Sequence, residues 1–172
     1  MNLFKPTMYQ KNVFCIPFDK FKKMGIQCLV FDLDNTLALI SNFKCPDETK
    51  KLIRCLKKDF SIFIISNNNK IRLEPYLKEL GVVGFHYSLK PSIKSLIQIR
   101  RKYHFQKEQM VLIGDQMVTD ILAGNRFGIQ TVLVDPLGEK DLKITKFNRF
   151  LESKIISRYQ KKGIFERGKY YE

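Results

Sequence analysis

Two aspartates, Asp32 and Asp34, stand two positions apart in the stretch VFDLDNTLALISN, directly after the apolar residues Leu29, Val30 and Phe31. Further along, Ser66 and Asn67 open the polar string SNNN, Lys90 precedes Pro91, and Asp115 and Asp120 fall within GDQMVTD. Carboxylates crowded together repel one another and take up protons unless a positive charge lies among them. Hard oxygen donors with room left for water suit Mg²⁺. A lysine beside a hydroxyl and the amides of a strand-to-helix loop suits a phosphoryl group. The set therefore describes a cradle for a phosphate ester. Asp32 is placed to attack phosphorus, and Asp34 to protonate the leaving oxygen and later activate water against an aspartyl-phosphate. Two carboxyl groups with two roles require two different environments.

Such chemistry works only if the chain brings these residues to one place. Cys28–Phe31, Ile62–Ile65, Met110–Ile113 and Thr131–Val134 are short, continuous apolar runs bounded by polar residues or glycine, and Gly84–Tyr87 is a weaker run of the same kind. Runs of this sort read as strands buried on both faces of a parallel sheet. Helical signals lie between them. Pro46, Asp47 and Glu48 make a first turn ahead of Leu52, Ile53 and Leu56, and residues 70–80 end at Gly81, with Pro75 expected to shorten or kink that helix. Pro91 is expected to open a third helix carrying Ile93, Leu96 and Ile97, and a fourth runs from about Thr119 to Phe127. Alternating strands and helices with short connections imply an α/β fold, a Rossmann-like doubly wound parallel sheet, whose ligand site lies beyond the carboxyl ends of the strands. Every residue singled out above follows a strand or precedes a helix. Taken one at a time they are unremarkable: SNN is often a turn or helix cap, Lys90 a surface lysine, Asp120 a helix-start acid. Their joint order gives the set its meaning.

On these motifs the chain resembles the haloacid dehalogenase (HAD) superfamily. FDLDNTLA, SNNN, LKPS, GDQMVTD and ILAGNRFGIQTVLVDPLG resemble in particular the YqeG family of class IIIA phosphatases, relatives of the phosphatidylglycerophosphate phosphatases. The resemblance covers about residues 10 to 160. It implies Asp32 as nucleophile and Asp34 as acid and base. It further implies Mg²⁺ held by the Asp32 carboxylate, the Asp34 backbone carbonyl and Asp115, with Ser66, Asn67 and Lys90 binding the phosphoryl group. Thr36 and Asp120 would support the site, Asp120 by orienting Lys90 or a metal-bound water. Asp135 departs from the pattern, standing where many relatives carry an apolar residue.

The intervals from Asp34 to Ser66 and from Ser66 to Lys90 have no room for an inserted cap domain, so the site is expected to be capless and open to bulky substrates. The chain is expected to be one phosphatase domain over residues 1–172, with basic extensions at 1–27 and 140–172. The net charge of +14 points to a phosphorylated or polyanionic partner, an anionic membrane surface included. Ile144, Phe147, Leu151, Ile155 and Tyr159 recur at helical spacing in the last segment, either as an interfacial helix or as a stripe packed on the domain's own core. Phe14, Ile16, Phe18 and Phe21 are read as cover for a sheet edge or an exposed patch. Of the four cysteines, Cys28 and Cys55 are expected in the core and Cys15 and Cys45 as free thiols, a pattern that fits a reducing compartment. No apolar run reaches the roughly 18 residues of a membrane span. The expected location is cytoplasmic, with peripheral membrane contact open. The leading expectation is a Mg²⁺-dependent phosphomonoester hydrolase acting on a bulky or lipid phosphate such as phosphatidylglycerophosphate. The alternatives are a nucleotide or nucleic-acid-end phosphatase and a non-catalytic basic nucleic-acid-binding module. Steep salt dependence of nucleic-acid binding without binding to anionic vesicles would favour them, and the module also requires that no Mg²⁺-dependent turnover be found. Oligomeric state, and a role for His86, are left open.

Overall fold

A computed structural model describes residues 2–138 and 143–172, with side chains from 148 onward in the second stretch. The apolar runs form strands because each can bury both of its faces. In β2 (Cys28–Phe31), Leu29 and Phe31 enter one apolar cluster while Cys28 and Val30 enter another. The same alternation divides β3 (Ser61–Ile65) and β5 (Met110–Gly114), so these central strands read as continuous hydrophobic runs. With β1 (Met8–Gln10), β4 (Val83–Phe85) and β6 (Gln130–Val134) they make a six-stranded sheet in the order β1-β6-β5-β2-β3-β4. Every neighbouring pair is parallel.

Helices cover both faces. α1 (Phe18–Lys23), α2 (Asp47–Leu56) and α3 (Lys70–Leu80) send Phe21, Ile53, Leu56, Leu73, Tyr76 and Leu80 into the first cluster. α4 (Lys94–Tyr103) and α5 (Leu122–Phe127) send Leu96, Ile99, Ala123 and Phe127 into the second. This is the doubly wound α/β arrangement. Strand order reverses direction between β2 and β5, and the crevice at their carboxyl ends is where such sheets bind ligands.

Several local features differ from expectation, each for a physical reason. α3 runs its full 11 residues through Pro75, because the Asn69 side chain caps it by accepting the Arg72 N–H at 2.9 Å and Leu73, Tyr76 and Leu80 anchor it to the core. Pro91 does not open a helix. It follows a cis peptide bond in the loop after β4, and α4 starts at Lys94. The weak strand is Val83–Phe85 rather than Gly84–Tyr87. The last expected helix begins as a π-helical turn, Met117–Ile121, before continuing as α5. Cys45 is buried beside the start of α2, whereas Cys55 is exposed because it lies off the inward stripe of Thr49, Ile53 and Leu56.

The chain ends join at the β1 edge. Tyr9 and Tyr171 exchange two backbone hydrogen bonds at 2.9 and 3.0 Å, which covers the exposed edge of β1. α6 (Lys143–Lys161) lays Ile155, Ile156 and Tyr159 against Tyr9, Met117, Ile121, Leu133 and Phe165. That part of the apolar stripe packs on the chain's own core, and Leu151 stays exposed. Ile144 and Phe147 lie outside the described side chains. Ile16 and Phe21 are core residues, while Phe14 faces solvent. No helix among the described residues is long and apolar enough to cross a membrane.

Candidate active site

The carboxyl ends of β2, β3 and β5 open into a cavity of 620 Å³ whose walls include Asp32, Asp34, Ser66, Asn67, Lys90 and Thr119. Asp32 continues β2, its N–H donating to the Ile113 carbonyl at 2.8 Å, so the sheet fixes its position. Its carboxylate meets the ammonium of Lys90, which also pairs with Asp120 at 2.7 Å. Thr36 Oγ1 lies 3.4 Å from both Asp32 Oδ2 and Asp115 Oδ1, between the ends of β2 and β5. Asp32, Asp115 and Asp120 are all buried, and each can place a carboxylate oxygen within 4.8 Å of the others'.

Burial drives the electrostatics. It pushes the Asp32 carboxyl well above the usual range; Lys90 opposes this, and Asp120, Asp115 and Asp34 add to it. Burial likewise raises Asp115, to about 7, although Arg149 pulls it down. For Lys90, burial alone would favour the neutral amine, but Asp120 and Asp32 outweigh it and the ammonium is held more firmly than usual. An ionised cluster of this kind calls for further positive charge.

Lys90 reaches this position through its loop. Tyr87 and Leu89 both adopt left-handed backbone angles, φ 47° and 51°. The chain therefore turns Ser88 and Lys90 inward and Leu89 outward. The Ser88 N–H donates to the Ser66 carbonyl at 3.0 Å, and the Tyr87 N–H to the Asn68 carbonyl at 3.0 Å. Asn67 clamps Lys90 through its side chain: Oδ1 accepts the Lys90 N–H at 2.7 Å, and Nδ2 donates to the Lys90 carbonyl at 3.2 Å. Its amide is thus engaged with the main chain of the lysine. Ser66 Oγ accepts the Asn68 N–H at 3.0 Å and lines the cavity.

Asp34 also lines the cavity, but its carboxylate turns from the Asp32 cluster towards α3. Arg72 donates to its Oδ1 from Nε at 3.0 Å and Nη2 at 2.8 Å, and Asn68 donates to Oδ2 at 3.3 Å. Nη2 also donates to the Leu39 carbonyl at 2.9 Å, which ties the loop carrying Ile40 to the cavity. Asp120 packs against Gly114, where a Cβ would come within 2.3 Å of the Asp120 side chain. The glycine of GDQMVTD is thus required by the close approach of that motif's second aspartate.

Several residues of this site carry no signal in the motifs. Arg72 stands in the first turn of α3, three positions after the capping Asn69, so its place behind the SNNN loop was available as a hint. Arg149 of α6 pairs with Asp115 Oδ2 and donates to the Asp115 carbonyl at 3.0 Å. Beside it, Asn148 lines the cavity and donates to Gln116 Oε1 at 3.2 Å. Nothing local in the sequence marks either residue of this helix. His86 is exposed and is not a cavity residue. Asp135 accepts from Arg167 at 2.9 Å and from the Tyr170 hydroxyl at 2.8 Å, and Tyr9 also donates to it. An acid there is explained by the C-terminal residues that meet it.

Comparison with known proteins agrees with this architecture. The HAD-hydrolase-like family model matches residues 89–142, the segment from Leu89 and Lys90 to beyond the GDQMVTD motif. The probable phosphatase YqeG of Bacillus subtilis is 36% identical over 164 residues, covering 93% of this chain and 94% of that protein. A chloroplastic/mitochondrial phosphatidylglycerophosphate phosphatase 1 of Arabidopsis thaliana is 26% identical over 92% of this chain and 49% of its own length. Among solved structures, the cobalt-bound deoxy-D-mannose-octulosonate 8-phosphate phosphatase of Haemophilus influenzae shares the fold. It superposes with a TM-score of 0.53 at 18% identity, over 84% of this chain and 95% of that one.

Proposed function

This chain belongs to the YqeG family of HAD-like phosphatases, and from that premise we propose a Mg²⁺-dependent hydrolase of bulky or lipid phosphate monoesters, working through an aspartyl-phosphate on Asp32. The observation that carries the reading is Asp32 itself: a buried carboxylate at the mouth of the central strand, facing a cavity and paired with a buried lysine.

The donor set fits Mg²⁺. Its ligating atoms are all oxygens, and burial opposes ionisation of Asp32 and Asp115 unless a cation joins them. Asp32, the Asp34 main-chain carbonyl and Asp115 would hold the ion. Bound there, it would screen the phosphate's negative charge and polarise a phosphoryl oxygen. Lys90 and Ser66 bind the phosphoryl oxygens, and Asp120 keeps the Lys90 ammonium aimed at the centre of the site. A carboxylate oxygen of Asp32 attacks phosphorus and the bond to the ester oxygen breaks. Asp34 gives that oxygen its proton, then takes one from the water that splits the aspartyl-phosphate. Arg72 and Asn68 hold Asp34 at the cavity wall, from which its carboxyl would turn to the leaving oxygen.

The substrate class is supported by the rim. α2 and α3 are the only helices between Asp34 and Lys90, so no inserted domain closes the cavity. Leu89 lines it yet remains 69% exposed, an apolar surface bordering the phosphate site that suits a substrate with an apolar body. Two relatives named as phosphatidylglycerophosphate phosphatases, 26% and 25% identical, point the same way.

The test is Mg²⁺-dependent phosphate release from lipid phosphates in mixed micelles, set beside sugar, nucleotide, protein and polynucleotide phosphates. Preference for the lipid, lost in Asp32→Asn and in EDTA, is the expected result. Turnover of nucleotides or polynucleotide ends with none of the lipid would replace the substrate assignment. Full turnover by Asp32→Asn would remove the mechanism.

A further inference from the structure

We propose that Arg149 is a positioning residue for the metal ligand Asp115, and that the C-terminal helix α6 thereby sets the protein's affinity for its divalent cation. The inference rests on the phosphatase reading of the same site.

Arg149 grips one residue at two points. Nη2 pairs with Asp115 Oδ2 and Nη1 donates to the Asp115 main-chain oxygen at 3.0 Å, which fixes the side chain relative to its own backbone. The effect is a division of the carboxylate oxygens. Lys90 takes Oδ1 of Asp32 and Arg149 takes Oδ2 of Asp115. The other two oxygens, Asp32 Oδ2 and Asp115 Oδ1, both face the Thr36 hydroxyl at 3.4 Å. The two cations therefore lie on the outer oxygens, and the inner oxygens of neighbouring strand ends are turned to one another. A buried carboxylate without such a hold could rotate and present either oxygen, or neither, to an ion.

Arg149 is itself held. Its Nη1 lies 3.0 Å from Glu152 Oε2, one turn along α6. Glu152 is 1% exposed, and its other oxygen accepts the Met117 N–H at 2.8 Å and meets Arg167 at 3.3 Å. Met117 begins the π-helical turn that carries Asp120, so one buried glutamate ties α6 to the segment between Asp115 and Asp120. Arg167 continues the chain of charges to Asp135 at 2.9 Å. Buried charge is costly unless every member is paired, and a set this complete specifies one position for the guanidinium. Partners behind a metal ligand orient it, and their loss commonly weakens metal binding about 10- to 100-fold.

The competing idea is that Arg149 occupies charge space the metal needs, in which case its removal would tighten binding. The two ideas give opposite signs. The experiment measures Mn²⁺ binding to the full chain without substrate, by electron paramagnetic resonance of the free ion, with Mg²⁺ as competitor. Arg149→Gln is expected to raise the dissociation constant about 10- to 100-fold. Arg149→Lys, which keeps the charge but not the two-point grip, should recover part of the loss, and Glu152→Gln should fall between wild type and Arg149→Gln. Thermal unfolding of each variant establishes that the assay temperature lies below its transition. If Arg149→Gln does not fold, Arg149→Lys and Glu152→Gln carry the test, each expected to bind more weakly than wild type. Equal or tighter binding in the variants overturns the inference and leaves the phosphatase reading standing. No Mn²⁺ binding by the wild-type protein overturns both.

Discussion

Asp34 and Asp115 are both carboxylates at strand ends, and each is gripped by an arginine from a helix beside the sheet. The pairs differ in what surrounds them. Asp34 lies at the cavity wall with its side chain 16% exposed, whereas the Asp115 side chain has no exposure; the arginines, at 11% and 20%, are both partly buried. Arg72 arrives from α3, directly after the loop that carries Ser66, and divides its donors between Asp34 and the carbonyl of Leu39. Arg149 arrives from the far end of the chain and is backed by Glu152 and Arg167. A group that exchanges a proton with substrate needs access to it, and a group that holds an ion needs a fixed oxygen. Under the proposed mechanism one kind of pair, its carboxylate at two depths, would supply both.

The largest expected effect tests whether either pair matters without the residue between them. Asp32→Asn removes the proposed attacking oxygen while keeping the side chain's shape, and kcat towards an aryl phosphate should fall by about 10⁴-fold or more, as loss of a nucleophile does. Single-turnover phosphate release reads this directly. A variant with near-native turnover would leave the two arginine pairs as structure without chemistry.

Next comes the buried pair. Glu152→Ala strips the acid from Arg149 and Arg167, leaving two partly buried guanidinium groups and the Met117 N–H without it. Breaking such a pair from one side costs on the order of 3 kcal/mol. Urea unfolding should show the midpoint shifted with an unchanged slope. A loss no larger than that of an exposed ion pair, below about 1 kcal/mol, would mean the depth contrast is not energetic.

Arg72→Met addresses the shallower pair. It keeps the stem that packs in α3 but releases Asp34, and should lower turnover of esters with poor leaving groups about 10²-fold, in the range of general acid catalysis. Aryl phosphates, whose oxygen needs little protonation, should suffer less. Raising Mg²⁺ should not restore the loss, whereas the deficit of Arg149→Gln should shrink as Mg²⁺ approaches saturation. Equal loss for good and poor leaving groups, or rescue of Arg72→Met by metal, would merge the two pairs into one role.

The two arginines also mark where sequence stops being sufficient. β2, β3, β5 and β6 were legible because strands buried on both faces carry unbroken apolar runs. The order of those strands with the helices made the grouping of Asp32, Lys90, Asp115 and Asp120 foreseeable. β1 was not legible, since Met8–Gln10 is three residues long and becomes a strand only by pairing with Val132–Val134, far along the chain. Pro91 misled because a proline suits a first helical turn as well as it suits the turn it occupies. Asp135 looked like an anomaly until Arg167 and Tyr170 stood beside it. A guanidinium's partner depends on tertiary placement: Arg149 lies on a helix whose apolar spacing was the audible signal, and its polar neighbours carry no period to detect.

The smallest expected effect separates the pairs by pH. In the unfolded chain Asp115 and Asp32 titrate near the ordinary aspartate value of about 3.9. In the folded, metal-free protein burial pushes Asp115 up to about 7 and Asp32 well above its usual range. Between about 4 and 7 the folded state therefore binds more protons than the unfolded state, and stability falls as pH rises through that window. Above it the Asp115 contribution levels off, because both states are then ionised. The proposed Mg²⁺ site needs ionised carboxylates, so the ion's stabilising effect should be small at pH 5 and larger at pH 8. Thermal melts across that range, with and without Mg²⁺, measure both trends. An equal gain from Mg²⁺ at the two ends would show that the buried carboxylates do not hold the ion. Arg149 pulls the Asp115 value down, so Arg149→Gln should move the window to higher pH, while Arg72→Met, acting on a carboxylate outside the buried cluster, should leave it in place.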